Sequence, residues 1–136
     1  MPKIFALVCS PALDHLGLKN MNRDHLWIRF RKSVAEIETN SGYAVLSLLS
    51  RHVLEWISVR AQSDPQIFIQ TVIEHCPVGS LATLHKCLAE LEEKGFLILT
   101  VDVLDRRRKI VTLSPKARKM FDRLESEAVK LISRLR

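Results

Sequence analysis

The chain has 136 residues, of which 47% are apolar, and its formal net charge is +6 at pH 7. The apolar fraction supports a folded core, and four glycines and five prolines are too few for a low-complexity chain. The positive charge favours polyanionic partners. No apolar run is long enough to span a membrane, and Ile4–Cys9 is too short for a signal-peptide core. Three irregularly spaced cysteines do not form a disulfide framework, so the sequence predicts a cytoplasmic protein.

The first part of the chain predicts two helices that differ in how their apolar residues are spread. From about Asp24 to Glu38, apolar side chains recur every three or four residues and form one stripe. Asn40–Gly42 then predicts a break. Residues 43–61 carry apolar side chains around most of a helix circumference, which predicts a central, buried helix. Residues 1–21 carry no decisive pattern, and their structure is left open.

Capping signals mark the starts of two further helices. Ser63-Asp64-Pro65 predicts an N-terminus with Asp64 as the cap, and a short helix over about 65–75. After a turn, Ser80 is the predicted cap of a helix over 81–94, and Gly95 stands where a left-handed residue ends a helix. The buried side of this helix is predicted from four leucines, which are Leu81, Leu84, Leu88 and Leu91.

A hairpin and a long helix complete the predicted elements. Phe96–Val101 and Ile110–Leu113 are apolar runs of strand length around the charged connection 102–109. Ser114-Pro115 opens the last helix, with serine as cap and proline in the first turn. The apolar residues of this helix follow a heptad repeat, which is typical of pairing with another helix. They are Ala117, Phe121, Leu124, Ala128, Leu131 and Leu135.

This order of elements predicts a mostly α fold with a small β-hairpin. Three helices followed by a hairpin, over 43–113, are typical of a winged helix-turn-helix module that binds DNA. The segments 1–42 and 114–136 are then an N-terminal helical dimerisation segment and a C-terminal dimerisation helix, whose apolar stripes would otherwise face water.

Two segments of the module resemble the MarR-type transcription regulators. Ser80–Ile98, with the sequence SLATLHKCLAELEEKGFLI, resembles their recognition helix and first wing strand. Asp102–Ala117, which contains Asp-Arg-Arg and Leu-Ser-Pro, resembles their wing, second wing strand and next helix. The resemblance implies a homodimer with one winged module per subunit on duplex DNA, and many members respond to a small-molecule effector. Leu104 departs from the family, because an arginine often holds its place.

The outward face of helix 81–94 predicts the contacts to bases. Its N-terminal end is small, hydroxyl-bearing and cationic, whereas Glu90 and Glu93 make its C-terminal end acidic. A helix that enters the major groove by its N-terminus needs this polarity, because small residues allow close approach and the acids stay clear of the phosphates. The predicted DNA-binding residues here are Ser80, Ala82, Thr83 and Lys86.

The charged connection of the hairpin predicts a wing that enters the minor groove. A narrow minor groove concentrates negative potential and attracts arginine. If side chains alternate as along a strand, Arg107 points into the groove, while Arg106 and Arg108 lie near phosphates. Asp105 is predicted to hold the Arg107 guanidinium through a charge-assisted hydrogen bond.

Other chemistry has weaker support in the sequence. No catalytic motif, metal-ligand motif or cofactor motif is present, so we expect no enzyme. Cys76 and Cys87 are predicted to be buried structural cysteines, and the apolar neighbours of Cys9 argue against a peroxide sensor. Four residues could line a ligand pocket, although packing in the core is the simpler interpretation. They are Trp27, Tyr43, His52 and Trp56.

The sequence therefore predicts a sequence-selective double-stranded DNA-binding transcriptional regulator, which acts as a repressor. Two alternatives remain open. One is a protein–protein interaction module, in which the winged fold docks a partner. The other is a plasmid or phage replication initiator, which would bind repeated sites rather than a palindrome.

Overall fold

The computed structural model describes residues 25–135, which divide into two compact units. One unit is Tyr43–Phe121, and the other contains the flanking segments 25–42 and 122–135. The first unit begins where the predicted DNA-binding module begins, and it extends past the predicted end at residue 113 into the last helix. Within the described residues, no helix is both long and apolar enough to cross a membrane.

Helix α1, Leu26–Ser41, lies in the flanking unit. It ends at Ser41, within the predicted break Asn40–Gly42, and its C-cap Gly42 has a φ of +87° and donates its N–H to the Thr39 carbonyl. Glycine adopts this left-handed conformation without the steric cost of a Cβ atom. The side chains of the predicted apolar stripe, Leu26, Phe30, Val34 and Ile37, are half-buried.

The single helix predicted over 43–61 is wrong. Tyr43–Val45 forms a 3₁₀ turn, and helix α2 begins only at Leu48 and ends at Arg60. Ser47 caps it, because its hydroxyl accepts the Ser50 N–H. The helix is also not buried on all sides, since Leu48 and Val59 are exposed. Its buried face consists of Ser50, Val53, Leu54 and Ile57.

The helix start predicted at Asp64-Pro65 is wrong as well. Asp64 instead forms an ion pair with Arg60, one turn earlier. Ile67–Phe68 forms the short strand β1, and helix α3 follows from Ile69 to His75. Strand β1 pairs with a strand far along the chain, and local sequence patterns carry no trace of such a partner.

The predictions of a helix over 81–94, of the hairpin and of the last helix are confirmed. Helix α4 spans Leu81–Glu93, and strands β2, Leu97–Val101, and β3, Lys109–Leu113, form the antiparallel hairpin. Strand β3 lies in the centre of the sheet, in the order β1-β3-β2, with Ile67 opposite Val111. Helix α5 spans Pro115–Leu135. The mostly α fold with a small sheet is as predicted.

The core of the Tyr43–Phe121 unit lies between α2, α4 and the sheet. The largest fully buried side chains are Leu54, Ile57, Leu91, Val53, Val72 and Ser50. Cys76 and Cys87 are buried and free, as predicted. Leu81 is 57% exposed, so the predicted leucine stripe of α4 begins one turn later, and Cys87 completes the buried face.

Helix α5 begins at a double hydrogen bond made by Ser114. Its hydroxyl accepts the Ala117 N–H at 3.1 Å and donates to the Gly95 carbonyl at 2.6 Å, which confirms the predicted cap. Ala117 of the heptad is buried within the chain itself, and so is Met120, which the heptad omitted. In the flanking unit, Leu131 is buried whereas Ala128 is exposed.

Candidate nucleic-acid interface

The open face of helix α4 carries the small and cationic residues that the sequence assigned to it. Ala82, Lys86 and Ala89 are exposed, and His85 is exposed beside them. The opposite face is fixed in the core by Leu84, Cys87, Leu88 and Leu91. The helix therefore presents a defined edge to solvent, on which Lys86 lies between the small residues Ala82 and Ala89. His85 was missed as a candidate, although its position beside Lys86 was readable from the sequence.

The N-terminus of α4 is held by two hydroxyls. The Ser80 hydroxyl accepts the Thr83 N–H at 3.3 Å, and the two side-chain oxygens lie 3.0 Å apart. Thr83 is half-buried and packs towards Gly79, where an added Cβ would come within 2.9 Å of the Thr83 methyl. Ser80 and Thr83 thus shape the first turn of the helix. Ala82 and Lys86, the other two predicted residues, are exposed and take no part in this cap.

Glu90, which the sequence placed on the outward face of α4, is half-buried and links α4 to the start of α2. Its carboxylate accepts hydrogen bonds from the Ser47 hydroxyl at 2.9 Å, from the Ser50 hydroxyl and from the Lys94 ammonium at 2.9 Å. Lys94 also donates to the Val45 carbonyl at 2.9 Å. The hydrogen bond from Ser50, followed by that from Lys94, lowers the pKa of Glu90 from 4.5 to about 2.

The wing loop is built on two aspartates that bind backbone N–H groups. Asp102 is buried, and its carboxylate accepts the Leu104 N–H at 3.1 Å. The Asp105 carboxylate accepts the Arg107 N–H at 3.0 Å, and the Arg108 N–H donates to the Asp105 carbonyl at 3.0 Å. These bonds close a turn over 105–108, because aspartate side chains readily cap the backbone two residues on.

The predicted bond between Asp105 and the Arg107 guanidinium is therefore wrong. Asp105 fixes the backbone of the turn instead of the side chain of the arginine. The strand-like alternation of side chains does not apply either, since Arg106 and Arg107 occupy the centre of the turn. Both are exposed, as are Arg108 and Lys109.

Arg108 lies against an aromatic ring that the sequence interpretation missed. Its guanidinium carbon is 3.5 Å from the centroid of the Phe68 ring on β1. The aromatic face attracts the cation and orients the side chain. Beside this stack is an open groove of about 540 Å³ between α3 and the base of the wing. Its polar lining includes Gln70, Thr71 and Lys109.

Two aliphatic side chains precede the arginines of the wing. Val103 is 92% exposed and Leu104 is 96% exposed. They are the most exposed large hydrophobic residues of the described chain. The wing therefore combines a cationic turn with an unburied apolar pair.

The other candidate residues are engaged in local contacts. The Tyr43 hydroxyl donates to Glu55, Arg60 lies over the Trp56 ring, and Trp27 stacks on Phe30 in the flanking unit. Burial raises the pKa of the Cys76 thiol, which opposes thiolate chemistry there. Residues 25–134 contain no cluster of histidine, cysteine or acidic side chains that could hold a metal ion. Cys9 lies outside the described residues.

Comparisons with known proteins bear on the fold. No protein-family model and no curated protein match the sequence. Among solved structures, the chain is similar to YusO from Bacillus subtilis, with a TM-score of 0.62 and 14% identity, covering 92% of this chain and 83% of that one. A MepR variant from Staphylococcus aureus, bound to an oligodeoxyribonucleotide, gives a TM-score of 0.58 and 19% identity and covers 79% of both chains. A MarR-like transcription regulator from Bacillus cereus gives 0.50 and 15%, covering 85% of this chain and 83% of that one. The chain thus has the winged-helix fold of MarR-type regulators.

Proposed function

We propose that the protein is a cytoplasmic, non-enzymatic transcription regulator that binds double-stranded DNA sequence-selectively and acts as a repressor. One observation carries the proposal. Within one compact winged-helix unit, Lys86 is exposed on a helix edge of small residues, and four consecutive cations are exposed on the wing. Phosphate neutralisation by such cations supplies affinity, and base-edge contacts supply selectivity. The oligonucleotide bound to the MepR variant of the same fold supports it.

In this proposal, α4 reads the major groove. Ala82 and Ala89 allow close approach, and Lys86 reaches a base edge, because lysine binds the O6 and N7 acceptors of guanine. Ser80 and Thr83 lie at the helix N-terminus, where hydroxyls, N–H groups and the helix dipole favour a phosphate. The core burial of the opposite face keeps this edge in place.

The wing is proposed to contact the minor groove next to the helix. Arg106 and Arg107 project from the centre of the turn, and a narrow groove draws an arginine into its negative potential. We assign Arg107 to the groove and Arg106 to phosphate. Arg108 is oriented by Phe68, and Asp105 shapes the turn from which both other arginines project.

We further propose a homodimer formed through 1–42 and 114–136. Helix α5 leaves Val129 and Ile132 more than half exposed, and α1 does the same with Trp27 and Ile28. Apolar strips of this kind are costly in water, and a second copy of the chain would cover them. A two-fold dimer would present two copies of α4 to successive major grooves.

Selection of bound fragments from random duplex DNA tests the function. We expect enrichment of inverted half-sites about one helical turn apart, with binding that weakens steeply as salt rises. A Lys86→Ala/Arg107→Ala protein that folds normally is the matched control and should enrich nothing. Direct repeats would favour a replication initiator. No enrichment by the wild-type protein, at low salt, would leave a protein-docking module as the better interpretation.

A further inference from the structure

The two exposed aliphatic residues of the wing, Val103 and Leu104, are a candidate contact surface for another molecule. Val103 and Leu104 are almost fully exposed, at 92% and 96%, although large aliphatic side chains gain free energy from burial. In the same loop the hydrogen bonds are made by Asp102 and Asp105, and neither bond uses an apolar side chain. Val103 and Leu104 are therefore not needed to hold the loop, and their hydrophobic surface is free for another molecule.

The loop presents Leu104 in a fixed place. Its N–H is bound by the buried carboxylate of Asp102, and the Asp102 N–H donates to the Arg108 carbonyl at 2.9 Å across the loop. The turn over 105–108 follows immediately. A side chain held on such a pinned backbone enters a binding site with little loss of conformational entropy.

The chemistry next to Leu104 indicates which surface it meets. Arg106, Arg107, Arg108 and Lys109 are all exposed within five residues of it along the chain. An aliphatic side chain beside several cations fits a polyanion with an apolar interior. Two aliphatic residues on one narrow loop offer little area for insertion into a lipid surface, which usually takes the whole apolar face of a helix. The stacked base pairs behind the minor-groove phosphates offer an apolar slot of the right size.

We propose that Leu104 is a wedge that enters a base step of duplex DNA from the minor groove, while Arg107 lies in the groove beside it and Arg106 holds a flanking phosphate. The inference rests on the proposed function and adds a prediction that DNA binding alone does not make. A wedge partly unstacks one base step and kinks the duplex there, most easily at a flexible pyrimidine–purine step. Arginine in the groove would leave the base stack intact.

The test uses the full chain and a duplex recovered from the random selection, with single 2-aminopurine substitutions across the segment beneath the wing. The fluorescence of 2-aminopurine rises when it unstacks. We expect a rise at one step with the wild-type protein, none with Leu104→Ala, and a retained rise with Leu104→Met. Val103→Ala is the matched control and should keep the rise. Leu104→Ala should weaken binding by about tenfold or less, because the cationic contacts remain.

The outcomes separate this inference from the proposed function. Wild-type binding to the duplex without unstacking at any step would overturn the wedge and leave the DNA-binding function standing. Unstacking that survives in Leu104→Ala but not in Val103→Ala would move the role to the neighbour and contradict the assignment. Failure of the wild-type protein to bind any duplex would remove both proposals. Loss of binding to anionic phospholipid vesicles in Leu104→Ala, with unchanged DNA stacking, would identify a lipid surface as the partner instead.

Discussion

Helix α4 and the wing belong to one compact unit but are held in place by different means. Helix α4 has four side chains buried in the core, a capped N-terminus and the Glu90 clamp to α2. The loop of the wing, 102–109, buries only Asp102 and depends on short-range backbone hydrogen bonds and on the stack of Arg108 on Phe68. The position of the helix is thus coupled to the stability of the whole unit, whereas the wing can change without unfolding it.

This difference predicts where stability and binding can be altered separately. Substitutions on the buried side of α4 should reduce both, because the helix and the core are one structure. Substitutions in the wing should affect binding alone.

Leu91→Ala should have the largest effect. Leu91 is fully buried, and its truncation leaves a cavity that costs about 2–5 kcal/mol of the free energy of unfolding. Urea denaturation followed by circular dichroism measures this loss. The matched wing variant, Leu104→Ala, should leave the unfolding midpoint unchanged, because Leu104 is 96% exposed. Equal destabilisation by the two variants would contradict the separation.

Glu90→Gln should destabilise the unit by about 2 kcal/mol, because the amide keeps only one acceptor oxygen and loses the charge that strengthens these hydrogen bonds. The pKa of Glu90 is depressed from 4.5 to about 2, so its stabilising effect is complete above 4.5 and is lost as the pH falls towards 2. Urea denaturation should therefore show a smaller difference in the free energy of unfolding between wild type and variant at about pH 3 than at about pH 6. Glu93 is exposed on the same helix, so Glu93→Gln is the control and should have the same free energy of unfolding as the wild type at both pH values.

Lys86→Ala tests the exposed edge of α4 under the proposed function. The difference in binding free energy between a selected duplex and a scrambled one should shrink by about 1–2 kcal/mol, because one base contact is lost. Fluorescence anisotropy at fixed salt measures both affinities. Lys119→Ala, an exposed cation of α5, should leave this difference unchanged. An equal loss on both duplexes would make Lys86 a phosphate contact.

Arg108 and Phe68 should act as a coupled pair in DNA binding. A double-mutant cycle with Arg108→Ala and Phe68→Leu should give a coupling energy of about 0.5–1 kcal/mol, because the stack orders the arginine before it binds. The same cycle with Arg106→Ala serves as the control, and its effects should add. Additive effects in both cycles would show that the stack does not matter to binding.

Substitutions of Asp105 should change the DNA affinity least, and the direction of the change shows whether the charge or the hydrogen bond of Asp105 matters more. Asp105→Asn keeps the side-chain acceptor for the Arg107 N–H and removes a negative charge, so binding should stay equal or tighten. Asp105→Ala removes the same charge and also the acceptor, so it should bind DNA more weakly than Asp105→Asn. Anisotropy titrations at matched salt compare the two. If the alanine variant binds as tightly, the turn needs no help from Asp105.

The elements that the sequence predicted correctly carry their information locally. Ser80 and Gly95 mark the ends of α4 within a few residues, and Ser114-Pro115 does so for the start of α5. The start of α2 is also encoded locally, by the cap Ser47, whereas the apolar pattern on both sides of Ser47 predicts one continuous helix. Serine caps thus marked the starts of α2, α4 and α5, whereas the cap predicted at Asp64 marked no helix start.

The features that escaped prediction depend on partners distant in sequence. Strand β1 exists because Ile67 and Phe68 pair with Val111 and Ile110. Glu90 became a clamp because Ser47 and Ser50 lie near it in space, not in sequence. The stack of Arg108 on Phe68 has the same origin. The types of residue in the candidate site were readable from the sequence, whereas their contacts required the fold.

The pairing of β1 with β3 also has a consequence for the order of assembly during synthesis. Ile67 leaves the ribosome long before Val111, its partner in the sheet, so β1 has nothing to pair with while the middle of the chain is made. Helix α4 contacts α2 earlier, because Glu90 is translated before Val111 and its partner Ser47 has left the ribosome by then. The nascent chain is therefore able to form the contact between α2 and α4 first, and the sheet closes only after Lys109–Leu113 has been translated.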